Sequence, residues 1–208
     1  MDAITFFQNS AGKWRSQRTT HHLAFKRSEI GESEIIVEAL AADEPEIVEL
    51  CQMHEIDPAL AVGGCRVRWL GTMAWDREGE ENHQGKTVFA IVPDRENPRK
   101  GRMLRERGYA EIVPVVGRFH MDEEDGLVLT TEYETMSSIE RFWFPNPNQR
   151  MRTSTVKRFG GFSTASFCTE TRFGDEVSIS TDRSSKSESQ SLDTTKKDTE
   201  EFSSVLGW

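Results

Sequence analysis

The chain has 208 residues, which suits one domain, or one domain with an attached tail. Apolar residues make up only 36% and charged residues 29%, so the core is compact or part of the chain stays out of it. With 35 acidic against 26 basic residues the net charge is -9, which argues against a nucleic-acid binder whose affinity would come from excess Lys and Arg.

Residues 2–11 read as a short amphipathic helix, with Ile4, Phe6 and Phe7 on one side and Gly12 ending it. Residues 12–27 read as one long strand. Trp14, Ser16, Arg18, Thr20, His22 and Ala24 share one face, and neither face is cleanly apolar, which suits the wall of a polar-lined cavity. The spacing over 33–53 predicts helix, broken at Asp43-Glu44-Pro45, with a last turn at 58–61 before Gly63-Gly64. Further strands are expected at 65–75, 86–92, 109–118, 126–134, 137–144, 150–158 and 161–173, rich in Val, Ile, Thr, Phe and Trp. A longer loop is expected over Pro93–Pro98 and Arg102–Arg107, with hairpin turns at Asp122–Gly126 and Pro145–Asn148.

These elements predict a mainly β protein: a closed antiparallel barrel of eight to ten strands, with an N-terminal helix and helices between strands 1 and 2. Barrels of this size can hold one small ligand. Two units are expected, a barrel domain over 1–174 and a tail over 175–208. Eleven of the 23 residues from 178 to 200 are Ser or Thr and none is aromatic, a composition that leaves little to bury and predicts disorder. The hydrophobic terminus FSSVLGW follows.

Charge is unevenly placed. Residues 28–57 hold ten carboxylates and no Lys or Arg, and read as an acidic helical belt suited to docking a partner or simply to solvent. Residues 1–27 carry five basic groups against Asp2, and residues 145–174 carry five against Glu170, so the two stretches are candidates to meet around an anionic group. No apolar run reaches the roughly 20 residues of a membrane helix, and the start MDAITFFQNS lacks the pattern of a signal peptide. Cys51, Cys65 and Cys168 are too few and scattered for a disulfide framework or a zinc site. His21 and His22 point to opposite faces of a strand and cannot chelate one metal together, so no metal is expected.

Gly12-Lys13-Trp14 resembles the opening of lipocalin and fatty-acid-binding barrels, where the Trp closes one end and a basic group from a late strand packs over it. The runs FFQNSAGKWRSQRTTHHLAFKRSE, RVRWLG, VPDRENPRKGRMLRERGY, SSIERFWF and MRTSTVKRFGGFSTASFCTETR, in that order over residues 4–173, resemble the S/U-type phycobiliprotein lyases, the CpcS/CpeS family. The resemblance implies a lipocalin-like barrel that binds a linear tetrapyrrole, phycocyanobilin or phycoerythrobilin. It implies a lyase that attaches this bilin through a thioether to a cysteine of a phycobiliprotein α or β subunit. The bilin is then the substrate and no further cofactor is expected; nucleic acid and membrane are not expected as partners. A homodimer and a heterodimer with a related lyase subunit both stay open, and the setting is a cyanobacterial cytoplasm or, alternatively, a plastid stroma.

A tetrapyrrole carries two propionates, four ring nitrogens and a long conjugated face. Its site needs cations, a buried carboxylate and aromatic plates. Arg18 and Arg152 can supply the cations, from strands that would be neighbours in a closed barrel. Ser154 shares the strand face of Arg152, and Glu140 sits between Ile139 and Phe142-Trp143-Phe144. Trp69 and Trp75 are the candidate plates. The competing readings are surface cations, a structural Glu140–Arg pair and plain core tryptophans. Catalytic residues are not assigned: the attacking thiolate is read as the client's, with orientation as the catalytic contribution, although Cys65 has a neighbouring cation, Arg66, able to lower its pKa. A non-catalytic carrier of a tetrapyrrole or fatty acid is the alternative function.

Overall fold

The computed structural model describes residues 1–73, 83–106, 115–132, 136–158, 160–161 and 163–174. The first helix, α1 (Ala3–Ser10), is set by Asp2, whose carboxylate accepts the Thr5 amide at 3.0 Å. Its buried residues Ala3, Phe6, Phe7 and Ser10 form the single stripe that 3.6-residue periodicity gives. Ten strands follow: β1 (Gly12–His22), β2 (Arg27–Leu40), β3 (Gly64–Met73), β4 (His83–Asp94), β5 (Asn97–Arg105), β6 (Val115–Met121), β7 (Leu127–Glu132), β8 (Met136–Asn146), β9 (Gln149–Arg158) and β10 (Ser163–Phe173). Each pairs antiparallel with its sequence neighbours, and β10 closes on β1. The closed barrel and the N-terminal helix stand as expected. Closure also brings the two basic stretches together, since β1 lies beside β10 and β10 beside β9.

The helical placement differs. Residues 33–40, expected as helix, belong to β2, so the acidic belt is half strand, and no α-helix lies between β1 and β2, only a single 3-10 turn over Leu23–Phe25. The reason is the β-branched run Ile35-Ile36-Val37, which loses side-chain freedom in a helix and packs well on a pleated wall. Ile35 and Val37 point inward and are buried. The second helix, α2 (Pro45–Met53), comes after β2, started by Pro45 at its first turn. Arg102–Arg105, expected as loop, completes β5. Its Met103 enters the barrel while Leu104 packs outward, a buried pair too short to announce a strand among Arg99, Lys100, Arg102 and Arg105.

Two apolar clusters result. One fills the α1 end of the barrel, with Phe6, Phe7, Trp14, Val67, Phe89, Phe119 and Phe142. The other lies outside, where Ile47, Leu50 and Cys51 of α2 cover Val88, Ala90, Val92 and Leu104. Arg66 and Arg68 on the outer face of β3 take up part of the acidic belt. Arg66 binds Glu38 and Glu46, and Arg68 binds Glu38 at 2.5 Å. Among the described residues no helix is long and apolar enough to cross a membrane.

Candidate functional site

The α1 end is sealed around Trp14, which is fully buried and donates its indole N–H to the Ser10 carbonyl at 2.8 Å. Arg172 of β10 lies 4.2 Å over its ring, the late-strand cation expected from the Gly-x-Trp opening. The same guanidinium donates to the carbonyls of Asn9 at 2.8 Å and Ala11 at 2.5 Å, tying the end of α1 to the barrel. Gly12 permits this. Its φ is +129°, a region that side chains rarely adopt, and a Cβ there would stand 2.3 Å from an Arg172 nitrogen.

Above this seal the inward residues of β8, β9, β10 and β1 turn polar. Register sets them in tiers, because inward side chains recur every second residue. Lowest are Ser16, Glu170 and Arg150, facing one another across β1, β10 and β9. Next come Arg18, Cys168, Arg152 and Phe142, and above them Thr20, Ser166, Ser154 and Glu140. Four of the six expected site residues (Arg18, Glu140, Arg152 and Ser154) thus belong to one constellation. Arg18 and Arg152 flank Cys168 from either side rather than standing on adjacent strands.

Within it, Arg152 is 2% exposed and Glu140 2% exposed, with Nη1 and Oε1 3.8 Å apart. Arg152 Nη2 donates to Cys168 Sγ at 3.3 Å, and the guanidinium lies 5.5 Å over the Phe142 ring. Burial works against the Arg152 charge, but Cys168, Glu170 and Glu140 more than offset it and hold its pKa above the usual value. Arg18 goes the other way: burial, and then repulsion from Arg152, lower its pKa. Arg152 Nε and the hydroxyls of Ser138, Ser154 and Ser166 are buried with no hydrogen-bond partner among the described residues. A buried and a half-buried cation beside unsatisfied hydroxyls are the donor set an anion would need, since each unmet buried polar group costs about 1–3 kcal/mol.

Trp69 on β3 is half-buried against the edge of the barrel core, away from these strands. It lies on Gly85 of β4, where a Cβ would stand 2.2 Å from its ring. Trp75 lies outside the described residues. Sequence reasoning missed Ser138, Ser166 and the ion pair Arg150–Glu170, whose members are 1% and 0% exposed and meet at 2.5 Å. Continuing the two-residue alternation from Glu140 to Ser138, from Arg152 to Arg150, and along Ser166, Cys168 and Glu170, would have found them. The expectation for Cys65 is corrected. Cys65 points inward while Arg66 points outward to Glu38 and Glu46, and burial pushes the Cys65 thiol up rather than down. Burial likewise raises the Cys51 thiol.

At the far end from α1, His22, Phe25, Val156, Arg158 and Thr164 line a pocket of about 340 Å³ at the mouth of the barrel. Among the described residues, then, the barrel is sealed at one end, carries a pocket at the other and has inward arginines in between.

The comparisons with known proteins give the class. The family model described as CpeS-like protein matches residues 2–173, and the chain belongs to that family. It is 63% identical over 208 residues to chromophore lyase CpcS/CpeS 2 of Trichodesmium erythraeum, covering 100% of both chains. It is 64% identical over 171 residues to the phycocyanobilin lyase subunit CpcS of Picosynechococcus, covering 82% of this chain and 86% of that one. The fold matches the S-type phycobiliprotein lyase CPES from Guillardia theta with a TM-score of 0.75 and 35% identity, over 85% of this chain and 95% of that one.

Proposed function

We propose that this protein is a chromophore lyase that binds a linear tetrapyrrole in its barrel and attaches it through a thioether to a cysteine of a phycobiliprotein α or β subunit. The single observation that carries the reading is the pair of inward arginines, Arg18 and Arg152, set astride Cys168 within a barrel sealed by Trp14. Two like charges on one tier, Arg152 buried and Arg18 half-buried, suit a ligand with two carboxylates, and the bilin has two propionates. Glu140 is the carboxylate for the pyrrole nitrogens, Ser154 a hydrogen-bonding wall residue, and Trp69 and Trp75 the plates. The cyanobacterial relatives favour the cytoplasm over a plastid stroma. The barrel domain is residues 1–174, and the tail 175–208, outside the described residues, is not required for binding.

Mixing the purified chain with phycocyanobilin and an apo-subunit is expected to give a coloured product that survives denaturation. A passive carrier would give colour that washes away. Sedimentation of the same mixture, with and without a related lyase subunit added, reads whether the active form is a homodimer, a heterodimer with that subunit, or neither.

Three further outcomes are expected. Deleting residues 178–200 leaves bilin affinity unchanged within about twofold, checked by absorbance titration, because the polar composition there offers no stacking surface. Gly85→Ala pushes the Trp69 ring off β4 and weakens bilin binding about two- to tenfold, the loss of a stacking contact of about 0.5–1.5 kcal/mol. A variant with Cys51, Cys65 and Cys168 all changed to Ser still transfers bilin, since the attacking thiolate is the client's. A folded variant that binds bilin and transfers none would show a covalent relay instead.

A further inference from the structure

We propose that His22 and Glu29, at the mouth of the barrel, form the base that takes the proton from the client's cysteine thiol as it adds to the bilin. The inference rests on the lyase reading above. His22 Nε2 and Glu29 Oε1 are 2.8 Å apart across the β1–β2 hairpin, with side chains 32% and 25% exposed. His22 also lines the mouth pocket, where an arriving thiol would sit. Arg18 stands two inward positions deeper than His22 on β1, and the Glu29 charge acts on it. The pair therefore stands between the cationic cavity and the place where the client must enter.

With Nε2–H given to Glu29, the imidazole keeps its Nδ1 lone pair for a proton, and the carboxylate stabilises the imidazolium that forms. Among the described residues, the charged groups facing it from neighbouring strands are Arg27 on β2, opposite His22, and Arg158 on β9, which shares the pocket wall. From β10 come only Ser163 and Thr164. Both cations favour a thiolate.

The step is an addition. The thiol S–H bond breaks, its proton passing to Nδ1 and its electron pair staying on sulfur. The sulfur then bonds to the exocyclic carbon of the terminal pyrrole ring as the C=C π bond breaks. The imidazolium proton returns to the neighbouring ring carbon. Nothing is oxidised or reduced, and the histidine ends as it began.

The test uses the full chain as wild type, His22→Gln and Glu29→Gln, each loaded to saturation with phycocyanobilin and mixed with apo-subunit in a single turnover from about pH 6 to 9. Absorbance of the loaded lyase reads binding, and denaturation-resistant colour reads transfer. All three proteins are expected to load, and His22→Gln is expected to lose roughly 10²- to 10⁴-fold in transfer rate near neutral pH, as removal of a general base does. Its rate should then climb about tenfold per pH unit until the client thiol ionises unaided near about 8.5. Glu29→Gln is expected to show a smaller loss of the same shape. Loaded variants that transfer at the wild-type rate, that lose rate equally at every pH, or that fail to load would each overturn the assignment. A wild-type protein that does not load overturns it together with the lyase reading.

Discussion

Glu170→Ala is expected to destabilise the protein by about 3–5 kcal/mol, the cost of removing one partner of a buried ion pair. Glu170 is fully buried, and its carboxylate meets Arg150 at 2.5 Å. The arginine cannot move out to water, because its guanidinium is held between the rings of Trp14, 5.0 Å away, and Phe142, 6.0 Å away. The substitution therefore removes the carboxylate bonded to a cation that is 1% exposed. In a chain of this size each kcal/mol lowers the melting temperature by about 2–4 °C, so a fall of roughly 6–20 °C is expected in a thermal melt. A fall below about 2 °C would mean that the pair is solvated in solution. Exposed pairs set the contrast: Arg68–Glu38, with side chains 51% and 36% exposed, is worth at most about 1 kcal/mol.

Arg152→Ala is expected to weaken bilin binding about 10- to 150-fold, the loss of one charge-assisted hydrogen bond of about 1.5–3 kcal/mol to a propionate. Its Glu140 counterpart separates this from a purely structural role. Glu140→Gln keeps size and hydrogen bonding but removes the charge that, on the proposed reading, stabilises a protonated pyrrole system. It should move the absorption of bound bilin to shorter wavelength more than it lowers affinity. If the 3.8 Å contact between Arg152 and Glu140 served only the fold, both variants would melt earlier and leave the bound spectrum unchanged. Titration and melting on the same two proteins decide it.

The barrel was legible in the sequence because its later strands carry clear alternation: Leu127–Glu132 and Gln149–Arg158 bury every second residue. β2 was not, because its apolar residues Ile35, Ile36, Val37, Ala39 and Leu40 fit both strand and helix spacing. Only pairing on both sides, with β1 and β3, decides between the two. β5 was hidden by its four charges, of which Lys100 and Arg102 point to solvent while Arg99 and Arg105 bond to neighbouring elements. For the site, Arg18, Arg152, Ser154 and Glu140 could be named from residue type and family resemblance. Their grouping could not, since it depends on which residue stands opposite which across three strand pairs. The Arg150–Glu170 pair shows the same limit: the partners are 20 residues apart in sequence and adjacent only in register.

One feature of the barrel's shape governs the order of events. Phe6, Phe7 and Trp14 stop one end, and Arg172 rivets the helix that carries the two phenylalanines to the late strand. Among the described residues a pocket lies at the other end, and on the proposed reading the vessel is filled and emptied there, where the acceptor also sits. Pigment therefore has to enter first, and an acceptor that arrives early acts as a cork. The kinetics should be compulsory-order, with excess apo-subunit slowing turnover instead of saturating it, and with the finished conjugate leaving as a unit once its pigment has been drawn out with it.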